Sequence, residues 1–431
     1  MLRAFANAFR TPDLRRKLLF VLFIVAVFRL GSQVPTPGVH MANVQECFKA
    51  NGNNGIYGLI NLFSGGALLQ LTVFALGIMP YITASIILQL LTVVIPRLET
   101  LKKEGQAGQS KITQYTRYLT LALAVLQATG IVALARTGNL IQGCNKDLLY
   151  HNDTKTALIM VVTMTAGTGI IMWLGELITD RGIGNGMSIL IFTQIISRFP
   201  LSLWEVKKSN GWYVFGGVLI MGFAIIAAVV FIEQAQRRIP VQYARRMVGR
   251  KMFGGSSTYI PLKVNQAGVI PVIFASSLLY LPAMAVSFNQ NSTSPIITWI
   301  STYLVKGDHP IYMALYFIMI VFFTYFYVAI TFDPEEVADN MKKYGGFIPG
   351  IRAGKPTQEY LSYVLSRITL PGSLYLGIIS LIPLIALVLV NANQNFPFGG
   401  TSILIMVGVA LDTIKQIESQ LQQRNYEGFL R

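Results

Sequence analysis

The sequence predicts an all-α membrane protein with ten transmembrane helices, and two observations lead to this fold class. The 431 residues are 53% hydrophobic and only 13% charged. Apolar stretches of about 20 residues, the length that crosses a hydrocarbon core of roughly 30 Å, recur along the whole chain. Because backbone amides find no water in lipid, and the alternation of a membrane β-barrel is absent, these stretches must be helices. The predicted spans are residues 18–34, 71–95, 118–135, 157–178, 183–197, 213–233, 266–286, 311–332, 369–391 and 399–420.

The net charge of +16 is divided unequally between the two faces of the predicted bundle. The amino-terminal tail, the loops that start near residues 97, 181, 237 and 342, and the carboxy-terminal tail hold 26 of the 35 Lys and Arg residues. The opposite face holds eight, and Arg29 lies within the first span. By the positive-inside rule, both termini and the basic loops are therefore expected in the cytosol.

The first span follows a basic tail, as in a signal peptide, but no small-residue cleavage site comes after it, so we expect it to be retained. The topology places Cys47 and Cys144 in outer loops. They either form a disulfide, since disulfides persist in an oxidising compartment, or remain unpaired. The sequence does not fix their separation, so both alternatives stay open.

The apolar residues ahead of the second span, 56–76, are interrupted by Gly65 and Gly66. A pair of glycines favours a break in a membrane helix. A short helix followed by such a break can re-enter the bilayer without crossing it, where protein or a water-filled cavity surrounds it. The alternative is an interfacial helix that lies flat on the membrane.

The second span contains a nine-residue segment that returns in the seventh span. GIMPYITAS at 77–85 and GVIPVIFAS at 268–276 share Gly, Pro, Ile, Ala and Ser at five of nine positions. Five spans separate the two segments, so they cross the bilayer in opposite directions. This is typical of an inverted repeat, a fold that places its working site between its two halves.

Two long basic loops, 233–265 and 333–367, are rich in glycine and are expected on the cytosolic face. Charges beside anionic lipid explain a few lysines and arginines. They do not explain loops of this length. Protruding basic loops can dock on an RNA-rich or acidic surface.

The predicted spans lack the groups that catalysis needs. His40, His151 and His309 all lie in outer loops, and the few membrane acids, such as Glu176 and Asp412, are expected to bond a neighbouring helix or the backbone. GIRAGK at 350–355 is one residue too short for a P-loop. We therefore expect no enzyme, no cofactor and no metal site, and an energy source supplied by a partner.

Several sequence blocks, in order along the whole chain, resemble the SecY family of channel subunits of the Sec protein translocase. The blocks are FSGGAL with FALGIMPYITASII, GIGNGMSILIF, QRRIPVQYARR, PLKVNQAGVIPVIFASS, GGFIPGIRAGKPT and FGGTSILI. The resemblance implies two inverted five-helix halves, 1–198 and 199–431, around a central pore. It also implies a plug at about 57–68 and, for localisation, the inner (plasma) membrane of a bacterium.

The resemblance assigns four groups of functional residues. It implies an aliphatic pore ring of Ile78, Ile82, Ile191, Ile195, Ile273 and Ile405. The plug would comprise Leu59, Ile60, Asn61, Leu62, Phe63, Ser64, Gly65 and Gly66. A lateral gate would include Thr83, Ser85, Gln89, Gln127, Ser276 and Ser277. Partner-binding residues would be Arg238, Arg245, Arg246, Arg250, Lys251 and Arg352, where Lys251 replaces an expected arginine.

The spacing of the ring residues agrees with this role, because Ile78 and Ile82, and likewise Ile191 and Ile195, lie four residues apart and share a helix face. The implied partners are the small subunits SecE and SecG, the ATPase SecA, the ribosome, signal peptides with nascent secretory chains, and membrane lipids. The implied function is conduction of unfolded polypeptide, with sideways release of transmembrane segments into lipid. A secondary transporter of a small solute is the alternative, but it requires a polar site at mid-membrane, which the sequence lacks.

Overall fold

Helices account for most of the chain that the computed structural model describes. The described residues are 9, 11–51, 67, 71–136, 147–150, 153–243, 246–248, 251–253, 257–288, 295–305, 309–390 and 400–429. In the first half, the helices are α1 (Pro12–Gly31), α2 (Met41–Asn51), α3 (Met79–Val94), α4 (Pro96–Lys103), α5 (Gln106–Arg136) and α6 (Thr154–Arg181).

The helices continue in the second half as α7 (Gly186–Gln234), α8 (Ile270–Phe288), α9 (Pro295–Ile300), α10 (Pro310–Thr331), α11 (Pro334–Lys343), α12 (Lys355–Val390) and α13 (Gly400–Phe429). A π-helical turn, Ser301–Val305, follows α9. Proline occupies the first turn of several helices, where its missing N–H costs nothing, and the Asn185 and Asp333 side chains cap α7 and α11.

Five helices of the described chain are long and apolar enough to cross a membrane, which agrees with a polytopic helical membrane protein. A sixth candidate is the pair α3 and α4, which bend by 101° at their junction. Pro96 causes this bend, because proline disfavours a helical conformation at the preceding Ile95.

The stretch labelled α7 contains two predicted spans and consists of two helices that meet at a kink. The sequence predicts a connection from 198 to 212, and the predicted boundary between the halves lies within it. The helix instead passes Pro200 and is interrupted only at Gly211, whose φ of 78° and ψ of −179° are not helical. Glycine tolerates this conformation because it has no Cβ.

A small β-structure makes the all-α prediction incomplete. Strands β1 (Gln236–Tyr243), β4 (Ser257–Lys263) and β5 (Gly346–Phe347) form an antiparallel sheet in the order β4-β1-β5. Strands β2 (Arg246–Val248) and β3 (Lys251–Phe253) form a second pair. β1 and β4 run in register from Gln236 opposite Lys263 to Gln242 opposite Ser257. We call the side of the molecule that carries these strands the basic end.

Cys47 on α2 is disulfide-bonded, so the alternative of an unpaired thiol is wrong for this residue. The one other cysteine of the sequence is Cys144, which lies outside the described residues. Backbone bonds tie the same region together, because the N–H of His40 donates to the Leu148 carbonyl and that of Tyr150 to the Gly38 carbonyl.

Candidate functional site

Six isoleucines from four helices lie in one apolar cluster. Ile78 and Ile82 come from the start of α3, Ile191 and Ile195 from α7, Ile273 from α8 and Ile405 from α13. All are fully buried except Ile82, which is half-buried and packs against the others. The structure thus brings together every residue of the predicted ring, including positions more than 300 residues apart in the chain.

The two copies of the repeat place their isoleucines by the same local structure. Gly77 and Gly268 have positive φ angles of 57° and 61°, which residues with a Cβ rarely adopt. A helix begins two residues later in each copy, at Met79 and at Ile270. The prolines of the two copies fall in the first turns of these helices. The glycine and proline therefore start each helix and do not weaken its middle.

Gln194 is the polar exception beside the cluster. It lies on α7 between Ile191 and Ile195, and only 2% of it is exposed. Its Nε2 has no hydrogen-bond partner among the described residues. A Cβ on Gly77 would come within 2.8 Å of that nitrogen, so the glycine also makes room for the amide.

Two membrane acids make ion pairs away from the cluster, and the predicted bond to a neighbouring helix is confirmed for Glu176 but not for Asp412. Arg117 on α5 donates from Nε and Nη2 to the two carboxylate oxygens of Glu176 on α6, at 2.8 and 2.9 Å. Such a fork holds two helices side by side. Asp412 on α13 lies 3.5 Å from the ammonium of Lys263, at the end of β4. Both pairs give these acids structural contacts between elements.

Five of the six predicted gate residues lie on α3 and α8, which contact each other, and Gln127 lies on α5. Thr83 and Ser276 donate their hydroxyls to carbonyls of their own helices, Met79 at 2.9 Å and Ile273 at 2.9 Å. Ser85 and Gln127 are half-buried, and Gln89 is exposed. The Ser277 hydroxyl is buried and has no partner in the described structure. The Thr83 and Ser276 hydroxyls therefore do not bond across the contact.

The predicted plug, 57–68, lies outside the described residues apart from Ala67. The Ala67 carbonyl accepts bonds from the N–H and the hydroxyl of Thr72, at 3.1 and 3.3 Å. Between them, Leu71 is fully buried and has a positive φ of 49°, which costs a residue with a side chain about 1–2 kcal/mol. Thr36 supports this conformation with two bonds to the Leu71 carbonyl.

The two predicted basic loops fold together at the basic end. Strand β5 of the second loop pairs with β1 of the first. Beneath the sheet, apolar side chains from both loops and from α11 and α12 form one cluster: Ile239, Val241, Leu262, Met341, Ile348, Leu361 and Val364. Basic residues are thus carried on a folded unit, which holds their positions.

The predicted partner-binding residues differ in how the structure places them. Arg238 is exposed on β1, with its guanidinium carbon 4.8 Å from the centre of the Tyr259 ring. Arg352 is exposed in a tight loop between Gly350 and Gly354, which both have positive φ. Arg246 begins β2 and Lys251 begins β3, whereas Arg245 and Arg250 lie outside the described residues.

The helix α4 adds charge to the same end. Lys103 donates to Glu99 at 2.7 Å, and this hydrogen bond is the largest cause of the raised pKa of the Lys103 ammonium. The negative charges of Asp333 and Glu335 raise this pKa further. The basic end therefore carries acidic side chains among its cations.

The sheet at the basic end was not predicted, although the sequence of β1 contains an alternating pattern typical of a strand. In RIPVQY the side chains of Ile239 and Val241 alternate with exposed neighbours, as in a half-buried strand. Pro240 lies in the same segment, and proline is disfavoured within a strand because it cannot donate a hydrogen bond. The structure accommodates it because β5 pairs only with Gln242 and Tyr243, so one side of β1 is unpaired at residue 240.

Among the described residues, no group of His, Cys, Asp and Glu could hold a metal ion.

Similar proteins cover most or all of this chain. The SecY family model matches residues 72–414. Protein translocase subunit SecY of Streptomyces galbus is 68% identical, and that of Mycobacterium bovis 60% identical, each over 100% of both chains. A solved protein-conducting channel matches with a TM-score of 0.64 and 20% identity, over 94% of this chain and 91% of that one. Sec61 in a canine ribosome-channel complex matches with a TM-score of 0.62 and 18% identity over the same shares. The chain therefore belongs to the SecY family.

Proposed function

We propose that this chain conducts unfolded polypeptides through a membrane as the channel subunit of a protein translocase, and that it is not an enzyme. The observation that carries the proposal is the cluster of six isoleucines supplied by four helices of both halves. A narrow aliphatic ring excludes water and ions, and it offers a passing chain no fixed charge to bind. Membership of the SecY family supports the same function, and among the described residues the cluster consists of apolar side chains, which does not favour a solute transporter.

The ring proposal is tested by ion conductance. Glycine at both Ile82 and Ile273 removes two side chains from opposite halves of the cluster. Vesicles that contain this variant should leak ions at rest. The matched control replaces Ile170 and Ile318, which are 46% and 61% exposed, so that it has the same number of glycines in helices. A tight seal in the ring variant, or equal leaks in both variants, would count against the ring.

Site-specific crosslinking tests whether polypeptide passes this cluster. A photoreactive side chain at position 82 or 191 should label a stalled secretory chain. The same probe at position 318, on the exposed face of α10, should not. We expect no small solute to be labelled at these positions. If neither ring position labelled the polypeptide, the proposed function would be wrong.

We further propose ten spans in two inverted halves, with residues 57–68 as a plug that fills the pore at rest. The repeated glycine–proline helix starts support the inverted halves, and the anchor of Ala67 to Thr72 supplies a fixed end for the plug. The contact between α3 and α8 is the place for the lateral gate, where a signal segment leaves into lipid. Both termini and the basic end face the cytosol of a bacterium, and SecE and SecG complete the channel.

The basic end is proposed as the docking surface for the ribosome and for SecA. A folded unit presents Arg238 beside an exposed tyrosine and holds Arg352 in a rigid loop, and such side chains suit phosphate-rich or acidic partners. Glutamate at both positions should abolish copurification of ribosomes and SecA with the detergent-solubilised protein. Lys155→Glu, a charge reversal at the opposite end of the molecule, is the control and should bind normally. Unchanged binding by the double variant would remove this proposal.

A further inference from the structure

A groove of about 720 Å³ runs between α5 and α6, away from the isoleucine cluster. Its walls are formed by residues from one stretch of each helix: Val125, Thr129, Val132, Ala133 and Arg136, then Thr154, Ala157, Leu158, Val161, Val162, Thr165 and Ala166. Two of the wall hydroxyls have partners on their own helices, because Thr129 and Thr165 donate to the carbonyls of Val125 and Val161. The walls therefore favour an apolar occupant.

The groove is about as long as one half of a bilayer core is thick. From Val125 to Arg136 a helix rises about 17 Å, close to half of a hydrocarbon core of roughly 30 Å. Towards the basic end the two helices close on each other, since a Cβ on Gly169 would lie 3.8 Å from Leu121 Cδ2. The Arg117–Glu176 ion pair follows one turn further on. A partner helix would have to cross both leaflets, whereas a lipid acyl chain occupies one.

The open end of the groove carries positive charge. Arg136 lies in the last turn of α5 and lines the groove, and its guanidinium has five N–H donors suited to phosphate. The first turn of the 28-residue helix α6 begins at Thr154 on the opposite wall, and the Asp153 side chain does not cap it. Its amides add the positive end of a helix dipole. The carboxylate of Asp153, directly before α6, lies at the same end and opposes an anion.

We propose that this groove binds one phospholipid of the leaflet opposite the basic end, with an acyl chain between α5 and α6 and an anionic headgroup phosphate at Arg136 and the first amides of α6. The occupant is a resident lipid, distinct from the signal segments that the gate between α3 and α8 would release.

The test uses the full-length chain, purified with its copurifying subunits, in lipid discs of phosphatidylglycerol and phosphatidylcholine. A phosphatidylglycerol with a diazirine in its acyl chain should label peptides that contain 125–136 and 154–166. Ala133→Trp fills the groove and should lower this labelling by at least about fivefold, because bulk excludes the chain. Leu126→Trp adds the same bulk on a residue of α5 that is 68% exposed and does not line the groove, and it should label normally.

Headgroup variants test the charged end. Arg136→Gln should lower the preference for phosphatidylglycerol over phosphatidylcholine by roughly fivefold, the equivalent of one basic residue near a membrane surface, while acyl labelling persists. Asp153→Asn should raise that preference, and Arg181→Gln, at the other end of α6, should not change it. Equal labelling of the two tryptophan variants would overturn the proposal. Crosslinking of a small subunit, instead of lipid, into the groove would overturn it as well.

Discussion

Residues 77–85 and 268–276 have the same backbone conformation but different surroundings. Both copies have a positive-φ glycine, a helix that starts two residues later and a fully buried alanine, Ala84 or Ala275. A Cβ on Gly77 would meet Gln194, however, whereas a Cβ on Gly268 would have no atom within 4 Å. The repeat thus keeps the local conformation that starts its helix, while the neighbours of the two copies differ.

The largest difference between the copies is expected from alanine at the two glycines. Gly268→Ala should cost about 1–2 kcal/mol, the penalty for a left-handed residue with a Cβ. Gly77→Ala should cost about 3 kcal/mol, because overpacking against Gln194 adds to that penalty. Unfolding of the detergent-solubilised protein measures both. Adding Gln194→Ala should recover part of the stability of the Gly77 variant but none of the Gly268 variant. Equal losses at the two glycines would contradict the difference in surroundings.

The buried alanines should instead behave alike. Ala84 and Ala275 are both 0% exposed, so leucine at either position must displace neighbours. Each substitution should lower the free energy of unfolding by about 2 kcal/mol. Leucine at Ala122, which is exposed on α5, is the control and should have little effect. If one copy tolerated leucine and the other did not, the packing of the two helix starts would not be equivalent.

The same comparison separates what the sequence could predict from what it could not. Periodic apolar stretches predicted a helical membrane protein, and the repeated Gly–Pro pattern predicted two matching helix segments, because these features are local or repeated. The six isoleucines of the predicted ring were assigned by the resemblance to the SecY family, since an apolar pattern alone does not separate pore-lining isoleucines from core or lipid-facing ones. The start of α3 was placed at residue 71, eight residues early, since apolar composition does not reveal that Gly77 turns the chain.

The basic end shows the opposite case. Its sheet depends on pairing between β1 and β5, which lie about 100 residues apart, and on a cluster assembled from both loops. Pro240 and Pro261 weaken the strand pattern in the sequence, because proline is disfavoured within a sheet. Only the pairing shows that β1 is unpaired on one side at residue 240 and that β4 is an edge strand. The groove between α5 and α6 was equally hidden, since its shape depends on where two helices separate.

A smaller change, a gain in stability, is expected from replacing Gln194, the buried polar residue next to Gly77. Gln194→Leu removes a buried amide nitrogen that has no partner in the described structure, and it keeps a similar volume. Since an unsatisfied buried donor is unfavourable, stability should rise by about 1 kcal/mol. Gln127→Leu, at a half-buried position on α5, should change it much less. A loss of stability in the Gln194 variant would mean that the amide has a partner, and the difference between the two copies would then include a hydrogen bond.

The smallest effect is expected where the two copies meet. Thr83 and Ser276 bond to their own helices, so Thr83→Val and Ser276→Ala break no bond between α3 and α8. Such back-bonding contributes little to a helix, and the change in stability should stay within about 0.5 kcal/mol. Resting ion conductance of vesicles should be unchanged, alone and in the double variant, in contrast to the ring variant. A leak from the double variant would mean that these hydroxyls hold the two copies together, and helix packing alone would then not account for the contact between α3 and α8.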